Sequence, residues 1–234
     1  MTMIGVVGLV VVSVAVTEGG YLLFTGIVLA IAGFYSALAH YLVVKIYEKK
    51  GEFLSGELLK FLKPRSRVMV LDIGSGTGRT AIAIGKSLQY AKVVGIDIYS
   101  TRTIYGNSPR RAYENAKLEN VRDRVFFNYG SAFSIPFKDQ SFDVVTASSV
   151  LHLFREAGRK RAIVEILRVL KGEGRFVVIE MTRTVRLALF YWVSTCFVFQ
   201  TKAYWIKLLM ENGFKNIETT KVGDMAIFCA QKPK

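Results

Sequence analysis

Hydrophobic residues are distributed along this chain in three different ways. From Met1 to Val44 they run almost without interruption, and Glu18 is the only charged side chain before Lys45. Ile4 to Val16 forms one apolar segment, Thr17 to Gly20 a turn, and Tyr21 to Val44 a second segment long enough to span a bilayer as a helix. From Glu52 to Leu62 the spacing becomes helical, with Phe53, Leu54, Leu58, Leu59, Phe61 and Leu62 along one stripe and Pro64 as its stop. From Val68 onward, short apolar runs rich in β-branched residues alternate with amphipathic stretches. The runs at Val68–Ile73, Val93–Asp97, Phe142–Ala147 and Arg175–Glu180 lack a polar alternation, so they predict strands covered on both faces. Asn216–Thr220 and Met225–Ala230 predict two final strands, after a helix over Ala203–Asn212 that Gly213 ends.

This division predicts a membrane hairpin over residues 1–50, with helices at about 3–16 and 21–47, followed by an α/β domain over 51–234. A cleaved signal peptide fits poorly, since no Lys or Arg precedes the first run and a longer run follows it directly. A soluble buried hairpin is the plainer alternative. Gly26, Ala30, Gly33 and Ala37 recur at three- and four-residue intervals, which allows close helix packing within the hairpin or in a homo-oligomer. Lys45, Lys49, Lys50, Lys60, Lys63, Arg65 and Arg67 cluster after the second run, which predicts that the α/β domain lies on the cytoplasmic side of the cell membrane. His40, beside Tyr41 and Tyr47, reads as interfacial. The net charge of +14 over 234 residues suits either nucleic acid or an anionic membrane surface, and the apolar N-terminus favours the membrane. Two cysteines, Cys196 and Cys229, have neither metal-ligand nor disulfide-framework spacing.

Candidate chemistry centres on Val68-Met-Val-Leu-Asp-Ile-Gly-Ser-Gly-Thr-Gly78, where an apolar strand breaks into three alternate glycines and then a helix. Such a loop brings backbone close to a ligand and delivers it to a helix N-terminus, where free N–H groups favour an anionic group. The spacing does not suit a dinucleotide fingerprint, which needs Gly or Ala at the position held by Arg79. The pattern D-x-G-x-G-x-G from Asp72 instead resembles motif I of the class I S-adenosylmethionine-dependent methyltransferases. Val93-Val-Gly-Ile-Asp97, Gly130-Ser-Ala132, Phe142 to His152 and Leu167 to Glu180 resemble that family's later motifs, in order, so that the likeness covers about residues 52–232.

That resemblance implies a seven-stranded, mostly parallel Rossmann-like sheet with helices on both faces, closed by an antiparallel pair and here preceded by two transmembrane helices. It implies S-adenosylmethionine as cofactor, held by Asp72, Gly74, Ser75, Gly76, Thr77, Gly78, Asp97, Ile98, Tyr99, Ser131, Ala132 and Ser148. Asp97 would accept from the ribose hydroxyls and Ile98 and Tyr99 would cover the adenine. Ser131 departs from the family pattern, which has an acid there. On the acceptor side the candidates are His152 as base or as structural residue, with Glu180, Thr182 and Tyr191. Leu187 to Phe199 is an apolar, aromatic insert (about 185–200) between Arg183, Arg186 and Lys202, too short to span as a helix. It can lie at the membrane interface, roof the acceptor pocket or pack into the core. The expected activity is methyl transfer to a lipid, quinone or isoprenoid type of acceptor. The rivals are lysine methylation of a membrane protein and a non-catalytic cofactor-binding scaffold. Nucleic acid is not expected as a partner, since Ala147-Ser-Ser-Val150 stands where a catalytic N-P-P-Y tetrad would be, and no metal cluster is evident.

Overall fold

The computed structural model describes residues 20–62, 67–101, 106–184 and 199–234. Its centre is a seven-stranded sheet in the order β3-β2-β1-β4-β5-β7-β6, with β1 at Val68–Ile73, β2 at Ala91–Asp97, β3 at Val125–Tyr129 and β4 at Phe142–Ser148. The last three strands are β5 at Leu170–Met181, β6 at Lys215–Val222 and β7 at Met225–Gln231. Six strands run in one direction, and β7 alone is reversed, antiparallel to both β5 and β6. The expected sheet and its closing hairpin are therefore present.

Both faces are apolar because alternate residues of each strand feed different cores. Leu71 and Ile73 join one cluster with Phe176 and Val178, while Val68 and Val70 join the other with Val177 and Ile179. The first cluster is covered by helices α4 (Glu156–Val169) and α5 (Lys202–Glu211), through Ile163, Ile166, Trp205 and Leu208. The second is covered by α1 (Gly20–Leu62), α2 (Arg79–Ser87) and α3 (Pro109–Leu118), through Leu58, Leu62, Ile82 and Ala112. The result is a three-layer α/β domain whose crossovers all empty at one carboxyl edge, where ligands bind in such folds.

The N-terminus departs from the expectation of two membrane helices. The first arm, 3–16, lies outside the described residues. The second arm and the amphipathic stretch expected as a separate helix at 52–62 form one continuous helix, α1, running through Gly51 and Gly56. Glycine weakens a helix interior by about 1 kcal/mol without forbidding it, and Leu58 and Leu62 anchor the end of α1 in the second core. No helix among the described residues is long and apolar enough to cross a membrane. Ile27, Val28, Leu29, Ile31, Phe34, Tyr35, Leu38 and Tyr41 are nevertheless exposed, with Ile31 and Phe34 at 63% and 72%.

Candidate active site

The glycine loop is built by backbone geometry and close packing. Gly74, Gly76 and Gly78 all have positive φ (67°, 52° and 91°), the region that favours glycine. A Cβ on Gly74 would meet Val150 Cγ2 at 2.5 Å, and one on Gly78 would meet Phe127 Cζ at 2.6 Å. These two glycines thus make room for protein side chains. The consequence for the site is larger: Val150, at the start of the turn after β4, sits directly against the glycine loop.

Asp72 lies beneath that loop, fully buried, and its register partner on β4 is Thr146. The Thr146 hydroxyl donates to Asp72 Oδ1 at 2.7 Å, while Oδ2 lacks a partner of good geometry. Burial pushes the Asp72 carboxyl up to about 7, and Asp97 adds to this; the Thr146 hydroxyl and the Ala81 amide at the start of α2 oppose it.

Asp97 ends β2. Its Oδ2 accepts from Gly76 N at 2.9 Å, and its Oδ1 accepts from Tyr99 N at 2.6 Å and Asn107 Nδ2 at 3.4 Å. The carboxylate therefore clasps the glycine loop, as its position two strands' width from Thr146 allows. Around it lie three buried polar atoms without partners: Ser75 Oγ, Tyr99 OH and Asn107 Oδ1. The Ser75 and Tyr99 hydroxyls face each other without completing a hydrogen bond, and burial lifts the Tyr99 phenol to about 12. Buried polar atoms are rarely left unpartnered, so a donor- and acceptor-rich ligand fits this corner. A ribose diol has that chemistry. Tyr99 is buried at a φ of 49°, with its ring edge-on to Tyr129 at 5.0 Å, whereas Ile98 is 67% exposed.

The other cofactor candidates take varied roles. Thr77 lends its carbonyl to Asn115 Nδ2 at 2.9 Å, tying the loop to α3. Ser131 accepts from Phe133 N at 3.2 Å, so its hydroxyl holds its own turn, and Ala132 is buried beside it. Ser148 closes β4 and is followed by Ser149, whose φ is 54° and whose N–H donates to Ile179 O at 2.8 Å. Sequence reasoning missed Asn107 and Thr146. Asn107 lies ten residues beyond the strand end, in a stretch that reads as loop. Thr146 was hidden inside an apolar run, and only strand register brings it to Asp72.

On the acceptor side the structure joins His152 to Glu180. Glu180, wholly buried, accepts from Leu151 N at 2.8 Å and His152 N at 3.3 Å through Oε1. Its Oε2 lies 2.7 Å from His152 Nδ1. The carboxyl facing Nδ1 makes that nitrogen the natural holder of a ring proton, which leaves Nε2 as the ring nitrogen turned away from Glu180. Thr182 does not join this pair, because its hydroxyl donates to the Asp224 carbonyl at 3.3 Å. Tyr191 lies outside the described residues, as does 185–198 of the insert. The two ends of the insert meet, however: Arg183 N donates to Gln200 O at 2.9 Å. Phe199, at its end, places its ring 5.4 Å from that of His152. At the opposite, amino edge of the sheet, a cleft of about 490 Å³ lined by Arg67, Asp143, Lys171 and Arg175 is far from this chemistry. Among the described residues, no group of His, Cys, Asp and Glu is placed to hold a metal.

Residues 71–178 match the model of the methyltransferase domain family. An uncharacterized methyltransferase of Bacillus subtilis, YcgJ, is 34% identical over 140 residues, 58% of this chain and 51% of that protein. A demethylmenaquinone methyltransferase of Lactiplantibacillus plantarum is 34% identical over 119 residues, 50% of this chain and 47% of the relative. The chain thus spans about half the length of these curated relatives. The crystal structure of B. subtilis YcgJ shares the fold, with a TM-score of 0.60 at 20% identity over 77% of this chain and 98% of that one.

Proposed function

We propose that this class I S-adenosylmethionine-dependent methyltransferase methylates a hydroxylated, lipophilic ring of the quinol or phenol type. The observation that supports this reading is the His152–Glu180 pair, set on the turn that begins at Val150 against the glycine loop. S-adenosylmethionine supplies an electrophilic methyl on a positively charged sulfur, which keeps the bonding electrons when the carbon leaves. The chain's own work is to hold the acceptor in line, to exclude water and to take one proton. His152 Nε2 takes the proton from the acceptor hydroxyl as the new O–C or C–C bond forms, and Glu180 stabilises the resulting imidazolium through Nδ1. Phe199 beside the imidazole and the apolar insert rooted at Arg183 and Gln200 favour an apolar acceptor. The demethylmenaquinone methyltransferase relative points to the same acceptor class.

The reading extends to location. Helix α1 exposes Ile27, Ile31, Phe34, Leu38 and Tyr41 along one face, Val28 and Tyr35 beside it and Leu29 opposite, more than a single protein groove covers. A lipid surface covers them all, and the basic residues that follow in the sequence, Lys45, Lys49 and Lys50, suit an anionic one. Alkaline carbonate washing of membranes tests this, since release of the full-length chain into the supernatant refutes an embedded helix.

The activity test incubates the full-length protein with methyl-labelled S-adenosylmethionine and a chemically reduced demethylmenaquinone as probe. Label in the organic phase, lost in His152→Gln, is the expected result. Label on protein moves the acceptor to a lysine, and label nowhere despite cofactor binding leaves the scaffold reading.

A further inference from the structure

Arg159 is a buried cation, 6% exposed on α4, that forms no ion pair among the described residues. Its partners are all neutral. Nε donates to Leu151 O at 3.1 Å, Nη2 to His152 O at 3.5 Å and Nη1 to the Tyr204 hydroxyl at 3.0 Å. The guanidinium carbon lies 5.4 Å from the Tyr204 ring centre and 5.6 Å from that of Trp205, within cation–π range. A buried charge is costly unless something compensates it, so the question is what this one accomplishes.

The answer lies in a single peptide unit. The Leu151–His152 peptide donates its N–H to Glu180 and accepts from Arg159 on its carbonyl. Its dipole is therefore aligned between a carboxylate and a guanidinium. The next carbonyl, that of His152, also faces Arg159, and the preceding amide, that of Leu151, also faces Glu180. We infer that Arg159 is a positioning residue: with Glu180 it clamps the Leu151–Leu153 turn from both sides and so fixes the orientation and tautomer of His152. Tyr204 ties the clamp to α5, the helix that begins just after the acceptor-side insert.

The chain has only two histidines, His40 and His152, which makes the clamp directly observable. Full-length protein labelled with 15N-histidine gives two imidazole signal sets, and His40→Gln identifies the one from His40. His152 is expected as a single Nδ1–H tautomer with a slowly exchanging ring proton. Arg159→Met is expected to give averaged tautomers and rapid exchange of that proton, with affinity for S-adenosylhomocysteine within about twofold of wild type. Arg159→Lys, which keeps the charge but cannot fork to two carbonyls, is expected to fall between. Should Arg159→Met fail to fold, Tyr204→Phe removes one of the guanidinium's partners and is expected to speed the exchange. An unchanged His152 signal in a folded Arg159→Met, or in Tyr204→Phe where that is the variant available, overturns the inference. This readout needs no acceptor, so it stands apart from the proposal that His152 is a base. Where the quinol probe is turned over, Arg159→Met is expected to lower kcat about tenfold or more at unchanged cofactor KM, the effect of a misplaced base.

Discussion

Replacing Asp72 with Asn should make the domain more stable and less able to bind its cofactor. The carboxyl ordinarily titrates at 3.8 but is pushed to about 7 by burial beneath the glycine loop. Above pH 7 the folded chain therefore holds an ionised carboxylate where a neutral group is favoured. At about 1.4 kcal/mol per pH unit of displacement, this costs up to about 4 kcal/mol. The sign follows from which state holds the proton. Between pH 4 and 7 the unfolded chain has released it and the folded chain has not, so wild-type stability falls as pH rises through that window. Asn cannot ionise and lacks this slope. It still accepts from Thr146, but its NH2 meets the Ala81 amide, a loss of about 1 kcal/mol. Urea unfolding at pH 8 should thus show Asp72→Asn more stable by about 3 kcal/mol, or roughly 6–12 °C in Tm, and at pH 4, where little more than the Ala81 loss remains, less stable by up to about 1 kcal/mol. Calorimetric titration with S-adenosylmethionine at pH 8 should show at least about tenfold weaker binding, since the cofactor's positive charges lose an anionic partner. Equal stability at pH 8, or an equal gain at both pH values, would refute the assignment of a destabilising charge to Asp72.

Three further outcomes are expected. Glu180→Gln should leave cofactor affinity intact and lower methyl transfer to the quinol probe by about a hundredfold, because the amide cannot stabilise the imidazolium; steady-state kinetics with a cofactor KM check this. Gly74→Ala, at a φ of 67° and with its Cβ directed at Val150, should cost about 2–3 kcal/mol in urea unfolding, and adding Val150→Ala should restore part of that. Asn107→Ala should weaken S-adenosylhomocysteine binding about tenfold, while binding of methionine alone, which has no ribose, is unaffected.

The sheet was legible in the sequence because its strands are apolar on both faces and its punctuation is glycine. Period-2 alternation within Val68–Ile73 sends Leu71 and Ile73 one way and Val68 and Val70 the other, which only helices on both sides can satisfy. What stayed hidden depends on register or on distant partners. Arg159, on an amphipathic helix, reads as a solvated charge until the turn at Leu151 folds over it. The union of α1 with the stretch before β1 was also illegible, because the charged run ending at Gly51 looks like a break. Burial of Leu58 and Leu62 outweighs the local cost of two glycines. The packing at Gly74 was hidden for a related cause: the side chain it accommodates, Val150, is 76 residues away in the chain and adjacent only through the β1–β4 pairing.

The strain of this fold is concentrated at the carboxyl ends of β1, β2 and β4. Of five buried side-chain atoms without hydrogen-bond partners among the described residues, four belong to Asp72, Ser75, Tyr99 and Asn107. All four surround the ends of β1 and β2. Tyr99 and Ser149, which follow β2 and β4, hold positive φ values that cost non-glycine residues energy. Each unpartnered buried atom costs about 1–3 kcal/mol, so this edge is less stable than the same sheet could make it. If the cofactor binds here as proposed, it supplies the missing donors and acceptors, and folding and binding are linked through these atoms. A concentration of S-adenosylhomocysteine at about a hundred times Kd should then stabilise the domain by about 2.7 kcal/mol. Asp97→Ala should lose most of that increment at the same ligand concentration, since it frees Gly76, Tyr99 and Asn107 together. An increment of full size in Asp97→Ala would mean that the ligand is held elsewhere and that the unpartnered atoms mark strain without recognition.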